Sequence, residues 1–348
     1  MREAKLKTFQ MKGLQKYLVK KATWYILTLF VAVTLNFFLP RLIPGNPVAV
    51  IVGEIGGGIT DYKTYERIYN SYLIMFGLDK PIWQQFFIYL SNVLRGNLGI
   101  SLYSYPRPVA EIIGGSIHWT LLLQIPAIIF GWFIGNTLGV LTSYKKGAFD
   151  RVLFPLFLFL SAIPAFGFAY TNLYFFSVKL GLFPPGLGYN FSMLQNWKSL
   201  PFILSVINHY RLPFITMVLV AVGGQSLGMR QMSIYELNAD YIKYARLMGI
   251  NDRKIVWYVF RNAMLPQITG LALSLGTMVG GNLIAEIVFS YPGIGTTMFS
   301  AIRSQDFTLI SGCTLMISIM VLSANFVVDI VCGIIDPRVK ITQQEEGN

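Results

Sequence analysis

Few residues in this chain of 348 are of the types that do chemistry, and their spacing excludes most reactions. No GxxxxGK[ST] run occurs, so the chain carries no backbone cradle for nucleotide phosphates and cannot itself be the hydrolysing part of a pump. It also lacks HExxH, a paired cysteine–histidine metal spacing and a nucleophile elbow. His118 and His209 stand alone, each close to an expected membrane boundary, where an interfacial histidine is the simplest reading. Cys313 and Cys332 both fall in the last apolar region, as small packing residues rather than a disulfide framework. Glu286 and Asp329 are expected at span ends, where an acid costs little. Deeper in the bilayer, either would need a polar partner and become a functional candidate.

What remains is a cationic cluster. The stretch ADYIKYARLMGINDRKIVWYVFRNAMLP, 239–266, sets Lys243, Arg246, Arg253, Lys254 and Arg261 among Asp240 and Asp252. Ile242, Ala245, Met248 and Gly249 recur at helical spacing, giving a small apolar face opposite the lysines and arginines. A short amphipathic helix closed by Gly249 suits docking against a partner. A helix resting on lipid headgroups is the alternative that this pattern leaves open.

The elements that must position this cluster are set by hydropathy. Hydrophobic residues make up 54% of the chain and charged ones only 13%, well outside soluble globular usage. The apolar residues gather into blocks long enough to cross about 30 Å of hydrocarbon. A net charge of +12 is distributed between and beside these blocks, as juxtamembrane lysine and arginine are, and does not form a nucleic-acid surface.

In chain order, residues 1–21 form a basic cytoplasmic N-terminus with Arg2, Lys5, Lys7, Lys12, Lys16, Lys20 and Lys21. The first span covers 22–40, opened by Trp24 and Tyr25. Residues 41–116 make an extracytoplasmic subdomain resting on the membrane. It holds PGNP at 44–47, glycines at 56–58 and a short amphipathic helix in LDKPIWQQFFIYL. The core, 117–335, contains spans at 117–142, 152–178, 212–229, 263–285 and 307–334, with 201–208 as a short re-entrant or interfacial piece. A coupling loop occupies 231–262, and 336–348 form a cytoplasmic tail. Six spans put both termini on the cytoplasmic side, and the bias of Lys and Arg toward the short inner loops agrees. The fold class expected is therefore an all-α polytopic membrane protein. In the fifth span Gly276, Gly280 and Gly281 make a small-residue face for helix packing or for lining a pathway, with Glu286 at its end.

Taken together, ADYIKYARLMGI…RNAMLPQITG, AEIVFSYPGIG at 285–295 and VDIVCGIIDPRVK at 328–340 resemble the inner-membrane permease subunits of ABC importers of the dipeptide, oligopeptide and nickel type. LIPGNPV at 42–48, GLDKPIWQQF at 77–86 and GNLGIS at 96–101 resemble the permease with a large loop after its first span. The likeness covers essentially the whole chain. It implies that Asp240, Lys243, Tyr244, Ala245, Arg246, Met248 and Gly249 belong to a cytoplasmic coupling helix seated in a cleft of an ATP-binding subunit. Ala245 and Gly249 match the family's close-contact positions. Lys243 stands where the motif has glutamate, and Asn97 stands where relatives often have aspartate.

The resemblance further implies a second permease chain, one or two ABC ATP-binding subunits and an extracytoplasmic solute-binding protein as partners, besides the bilayer. No cofactor is expected on this chain; ATP and magnesium would sit in the partner subunits. Transport by alternating access would move roughly 234–250 as a rigid lever, with Ala245, Met248 and Gly249 making much of the partner contact. Di- or oligopeptides are the expected cargo, with oligosaccharides or nickel complexes as alternatives. An ion-coupled secondary transporter or a membrane scaffold are the readings from other classes.

Overall fold

The computed structural model describes residues 2–42, 48–49, 52–53, 61–75, 77–145, 147–281 and 283–335. The side chains of 1–20, of 276–282 and of several neighbours lie outside that description, as do those of Asp329 and Cys332. So do the PGNP residues at 44–47, the glycines at 56–58 and the tail from 336. The expected packing face of Gly276, Gly280 and Gly281 is thus also outside the described side chains, although the three lie on a helix.

Among the described residues the regular structure is helical. The elements are α1 (Arg2–Arg41), α2 (Tyr62–Met75), α3 (Ile82–Leu94), α4 (Val109–Tyr144), α5 (Ala148–Ala162), α6 (Ala165–Asn172, continued by a π-helical stretch Leu173–Lys179), α7 (Leu200–Leu237), α8 (Asp240–Leu247), α9 (Asp252–Gly281), α10 (Leu283–Val288), α11 (Ile294–Arg303) and α12 (Phe307–Ile335). Segments Lys21–Leu39, Val109–Tyr144, Leu200–Leu237 and Phe307–Val327 are long and apolar enough to cross a membrane, and the α5–α6 pair is a further, bent candidate. The chain is an all-α polytopic membrane protein.

Proline decides where two of the expected spans depart from the sequence reading. The third is not a straight rod: α5 and α6 meet at 106°. Ile163, just before Pro164, is extended at φ −73, ψ 131, the conformation that a following proline ring imposes. Pro213, by contrast, sits buried inside α7, and 201–208 is the start of that same helix, not a separate re-entrant piece. Neighbouring helices in a bundle let an internal proline stand where it would break a helix in water.

The chain divides into two compact units. One falls within Met1–Leu18, Trp119–Pro292 and Val321–Asn348, the other within Val19–His118 and Gly293–Met320. In the first, α4 and α7 approach through glycine. Gly131, Gly135 and Gly139 follow each other at four-residue spacing along α4. A Cβ on them would lie 2.5 Å from Ala221 Cβ, 2.6 Å from Gln225 Cβ and 2.5 Å from Ser226 O, all on α7. Ser226 Oγ donates to Gly135 O at 3.0 Å across that contact. This is the small-xxx-small approach of transmembrane helices.

In the second unit, Val109, Ile113, Ile294, Ala301, Leu309, Ile310 and Cys313 form the core. Asp306 caps α12 there. Its carboxylate accepts from Leu309 N–H at 3.0 Å, from Tyr103 N–H at 3.2 Å and from the Ser101 hydroxyl. That satisfies a fully buried acid and one of the orphan amides at the helix start.

Candidate functional site

Two arrangements in the first unit carry functional geometry. The first is α8 and its surroundings. The expected lever is divided: α7 stops at Leu237, Ala239 is extended at φ −68, ψ 148, and α8 begins afresh at Asp240. Its C-terminus is a Schellman motif. Gly249 N–H bonds Arg246 O at 3.0 Å and Ile250 N–H bonds Ala245 O at 3.1 Å. Gly249 supplies the left-handed residue that this closure needs, with φ +72.

The apolar face of α8 divides too. Ile242 and Ala245 are buried, Ile242 packing with Val140 of α4, Met229 of α7 and Ile255, Val259 and Ala263 of α9. Leu247 and Met248 remain 83% and 73% exposed, with Tyr244 exposed beside them. Ala245 therefore turns into its own chain and not outward as expected. The reason is its place one turn after Ile242, on the side that closes over the α7–α9 junction.

Tyr241 fastens α8 at its other end. Its hydroxyl donates to Glu236 Oε2 at the end of α7 and accepts from Asn262 Nδ2 of α9 at 2.9 Å. Burial first, then the Glu236 bond, pushes the phenol above its ordinary pKa, so it stays a donor at neutral pH. Lys243 Nζ pairs with Asp240 Oδ1 at 2.9 Å, an exposed pair on the outer side of the helix that contributes little to stability.

The second arrangement is a buried polar pair. Glu286, on α10, is fully buried, and its Oε1 accepts from Gln124 Nε2 of α4 at 2.9 Å; Gln124 is fully buried as well. Glu286 is therefore not the inexpensive boundary acid of the sequence reading. The helix that bears it also contributes Ala285 and Val288 to an apolar cluster with Trp119, Leu123, Phe289 and Tyr291, so its carboxylate is enclosed. Gln124 Oε1 and the Tyr291 hydroxyl are buried without a hydrogen-bond partner among the described residues. Aromatic rings close this end of the unit: Trp119 stacks on Tyr189 at 5.7 Å and meets Tyr291 edge-on at 5.7 Å.

The same unit holds a further tie. Arg230 of α7 grips Asp150 of α5 with two parallel bonds, Nε to Oδ1 at 3.1 Å and Nη2 to Oδ2 at 3.0 Å. Its guanidinium lies 4.2 Å from the Phe154 ring centroid. Planar, forked arginine suits this carboxylate-and-ring site in a way lysine would not.

The chain thus combines apolar spans, an exposed α8 between two long helices and a buried carboxylate beyond the second of them. The family described as "Binding-protein-dependent transport system inner membrane component" matches residues 112–341. The chain belongs to this family.

Its relatives are alike over nearly full length. This permease is 30% identical to the dipeptide transport system permease protein of Escherichia coli (strain K12) over 333 residues, 90% of this chain and 96% of the relative. It is 30% identical to the di/tripeptide transport system permease protein of Pseudomonas aeruginosa, covering 93% and 98%. It is 28% identical to the glutathione transport system permease protein of an Escherichia coli O6:H1 strain, again covering 93% and 98%. It is thus an inner-membrane permease subunit of the ABC importer type, a transport component and not an enzyme.

Of the residues singled out in the sequence of this permease, Asp240 to Gly249 lie together on α8 and its cap, and Glu286 lies apart on α10. His118 Nδ1 and His209 Nδ1 each lie within hydrogen-bond distance of the carbonyl four residues earlier in their own helix. Sequence reasoning missed Gln124, Arg230–Asp150 and Tyr241. It also missed the Gly131–Gly135–Gly139 series, although the four-residue spacing was there to be read.

Proposed function

We propose that this permease forms half of the translocation pathway of an ATP-driven importer of short peptides, delivered by a solute-binding protein. The observation that carries the reading is the near-full-length likeness to dipeptide, di/tripeptide and glutathione permeases. A second permease chain would complete the pathway. ATP and its magnesium ion would be bound and hydrolysed by ATP-binding subunits on the cytoplasmic side, where both termini of this chain also lie.

In this reading α8 is the coupling helix. Tyr244, Leu247 and Met248 form the contact, and Lys243, Asp240 and Arg246 lie at its edge. Ile242 and Ala245 serve as the root that joins α8 to α7 and α9. A push on the exposed face would pass through that root, and through Tyr241, into both long helices. ATP binding can bias such a two-state element only through contact that differs between the states. Glu286 and Gln124, at the other end of the unit, would hold α10 against α4 in one of them.

The test is co-isolation followed by transport. Tagged chain extracted in mild detergent should bring down a second permease and an ATPase, and the reconstituted complex should take up radiolabelled di- or tripeptide only with ATP inside. Leu247→Asp should lose the ATPase while the second permease stays bound. Uptake driven by a proton or sodium gradient without ATP would overturn the reading. So would uptake of an oligosaccharide and no peptide, as regards the cargo.

A further inference from the structure

One surface of the second unit is left over by the transport machinery. Helix α3 reads IWQQFFIYLSNVL and contains no charged residue, while Lys80 and Arg95 stand exposed just outside its two ends. One side of it is held. Phe86 is buried against the end of α1, stacked on Phe38 at 5.6 Å and edge-on to Phe37 at 5.3 Å. The face beside it is open: Trp83, Phe87 and Leu94 are 65%, 66% and 80% exposed, at a spacing that makes one stripe.

The height of this stripe is fixed by what α3 touches. Phe37 and Phe38 belong to the last turn of the apolar segment Lys21–Leu39, and Phe38 also meets the Trp83 ring at 5.9 Å. Along the same segment, Phe30, Val31, Leu35 and Leu39 are exposed, as a lipid-facing span requires. The α3 stripe thus lies beside the end of the apolar segment of α1, and the end of a span is where the headgroups begin. Aromatics at that level with basic groups at both helix ends are the arrangement that a bilayer interface favours.

We infer that α3 is an interfacial helix, with lipid as the partner of Trp83, Phe87 and Leu94. This rests on the reading of Lys21–Leu39 as a membrane span. The face inserts at the acyl–headgroup boundary, and Lys80 and Arg95 reach the phosphates. The helix thereby pins the end of α1 and the start of the long loop to the membrane surface.

Spin-label accessibility tests it on the full chain in nanodiscs of phosphatidylethanolamine and phosphatidylglycerol, with Cys313 and Cys332 replaced by alanine. A nitroxide is placed in turn at Phe87→Cys, Leu94→Cys, Leu35→Cys within the span and Glu66→Cys on α2. At 87 and 94, collisions with bilayer-dissolved oxygen should exceed those with a water-soluble nickel chelate several-fold, as at 35 and opposite to 66. Nickel access at 87 equal to that at 66 would overturn the inference, and so would shielding of 87 from both reagents, which would mean a protein covers the stripe. A label at 35 that fails to see oxygen would instead overturn the span itself.

Discussion

Gln124 Nε2 and Glu286 Oε1 meet at 2.9 Å inside an apolar cluster, joining the middle of a long helix to a six-residue one. A polar contact in such a place is costly to leave half-made. Glu286→Ala removes the acceptor of Gln124 Nε2 and should cost about 1–3 kcal/mol, read as a thermal unfolding midpoint several degrees lower in detergent. Glu286→Gln keeps an acceptor of the same shape and should hold the midpoint near the parent value. An Ala variant as stable as the parent would mean that the pair does not hold α10 to α4.

The glycine series on α4 gives a prediction with an internal control. At Gly135 a methyl group would lie 2.6 Å from Gln225 Cβ and 3.3 Å from Ser226 N, so the helices must part. Gly135→Ala should destabilise by about 1–3 kcal/mol through overpacking. On the same helix, a methyl group at Gly114 would meet nothing within 4 Å among the described residues. There the change to alanine should be neutral or stabilising, by up to about 1 kcal/mol. Equal effects at the two positions, measured by thermal unfolding, would mean that close approach at Gly135 is not what glycine supplies.

These two sites mark the limit of what the sequence made legible. Span-length apolar blocks identified the long helices because hydropathy needs no partner to be read. Gly249 was legible because a helix end with a left-handed residue is a local event. Glu286 was misplaced because its cost depends on Gln124, far away in sequence and brought near only by packing. Pro164 and Pro213 both fall within expected spans, yet only the first interrupts a helix. The difference lies in what surrounds the freed carbonyls, and the string of letters does not carry it. The face of α8 was recognised as apolar, but apolarity alone does not say which half faces the chain's own core. Ile242 and Ala245 are both buried, Ile242 against residues of α4, α7 and α9, and that follows from tertiary packing.

Arg230 and Asp150 form a partly buried fork across α5 and α7, and the two-point geometry, not the charge alone, should be what counts. Arg230→Lys keeps the charge but gives up the parallel bonds and the flat stacking on Phe154. A double-mutant cycle with Arg230→Ala and Asp150→Ala should return a coupling of about 1–3 kcal/mol in thermal unfolding, with Arg230→Lys recovering only a minor part of it. Each single variant should also lower ATP-dependent uptake in the reconstituted complex. The bridge ties the bent α5–α6 pair to the helix that leads into α8, so a loosened bridge would let α8 move without carrying that pair. Additive single effects, or full recovery by lysine, would reduce the bridge to a surface pairing and leave the apolar contacts of α5 with α7 as the mechanical link.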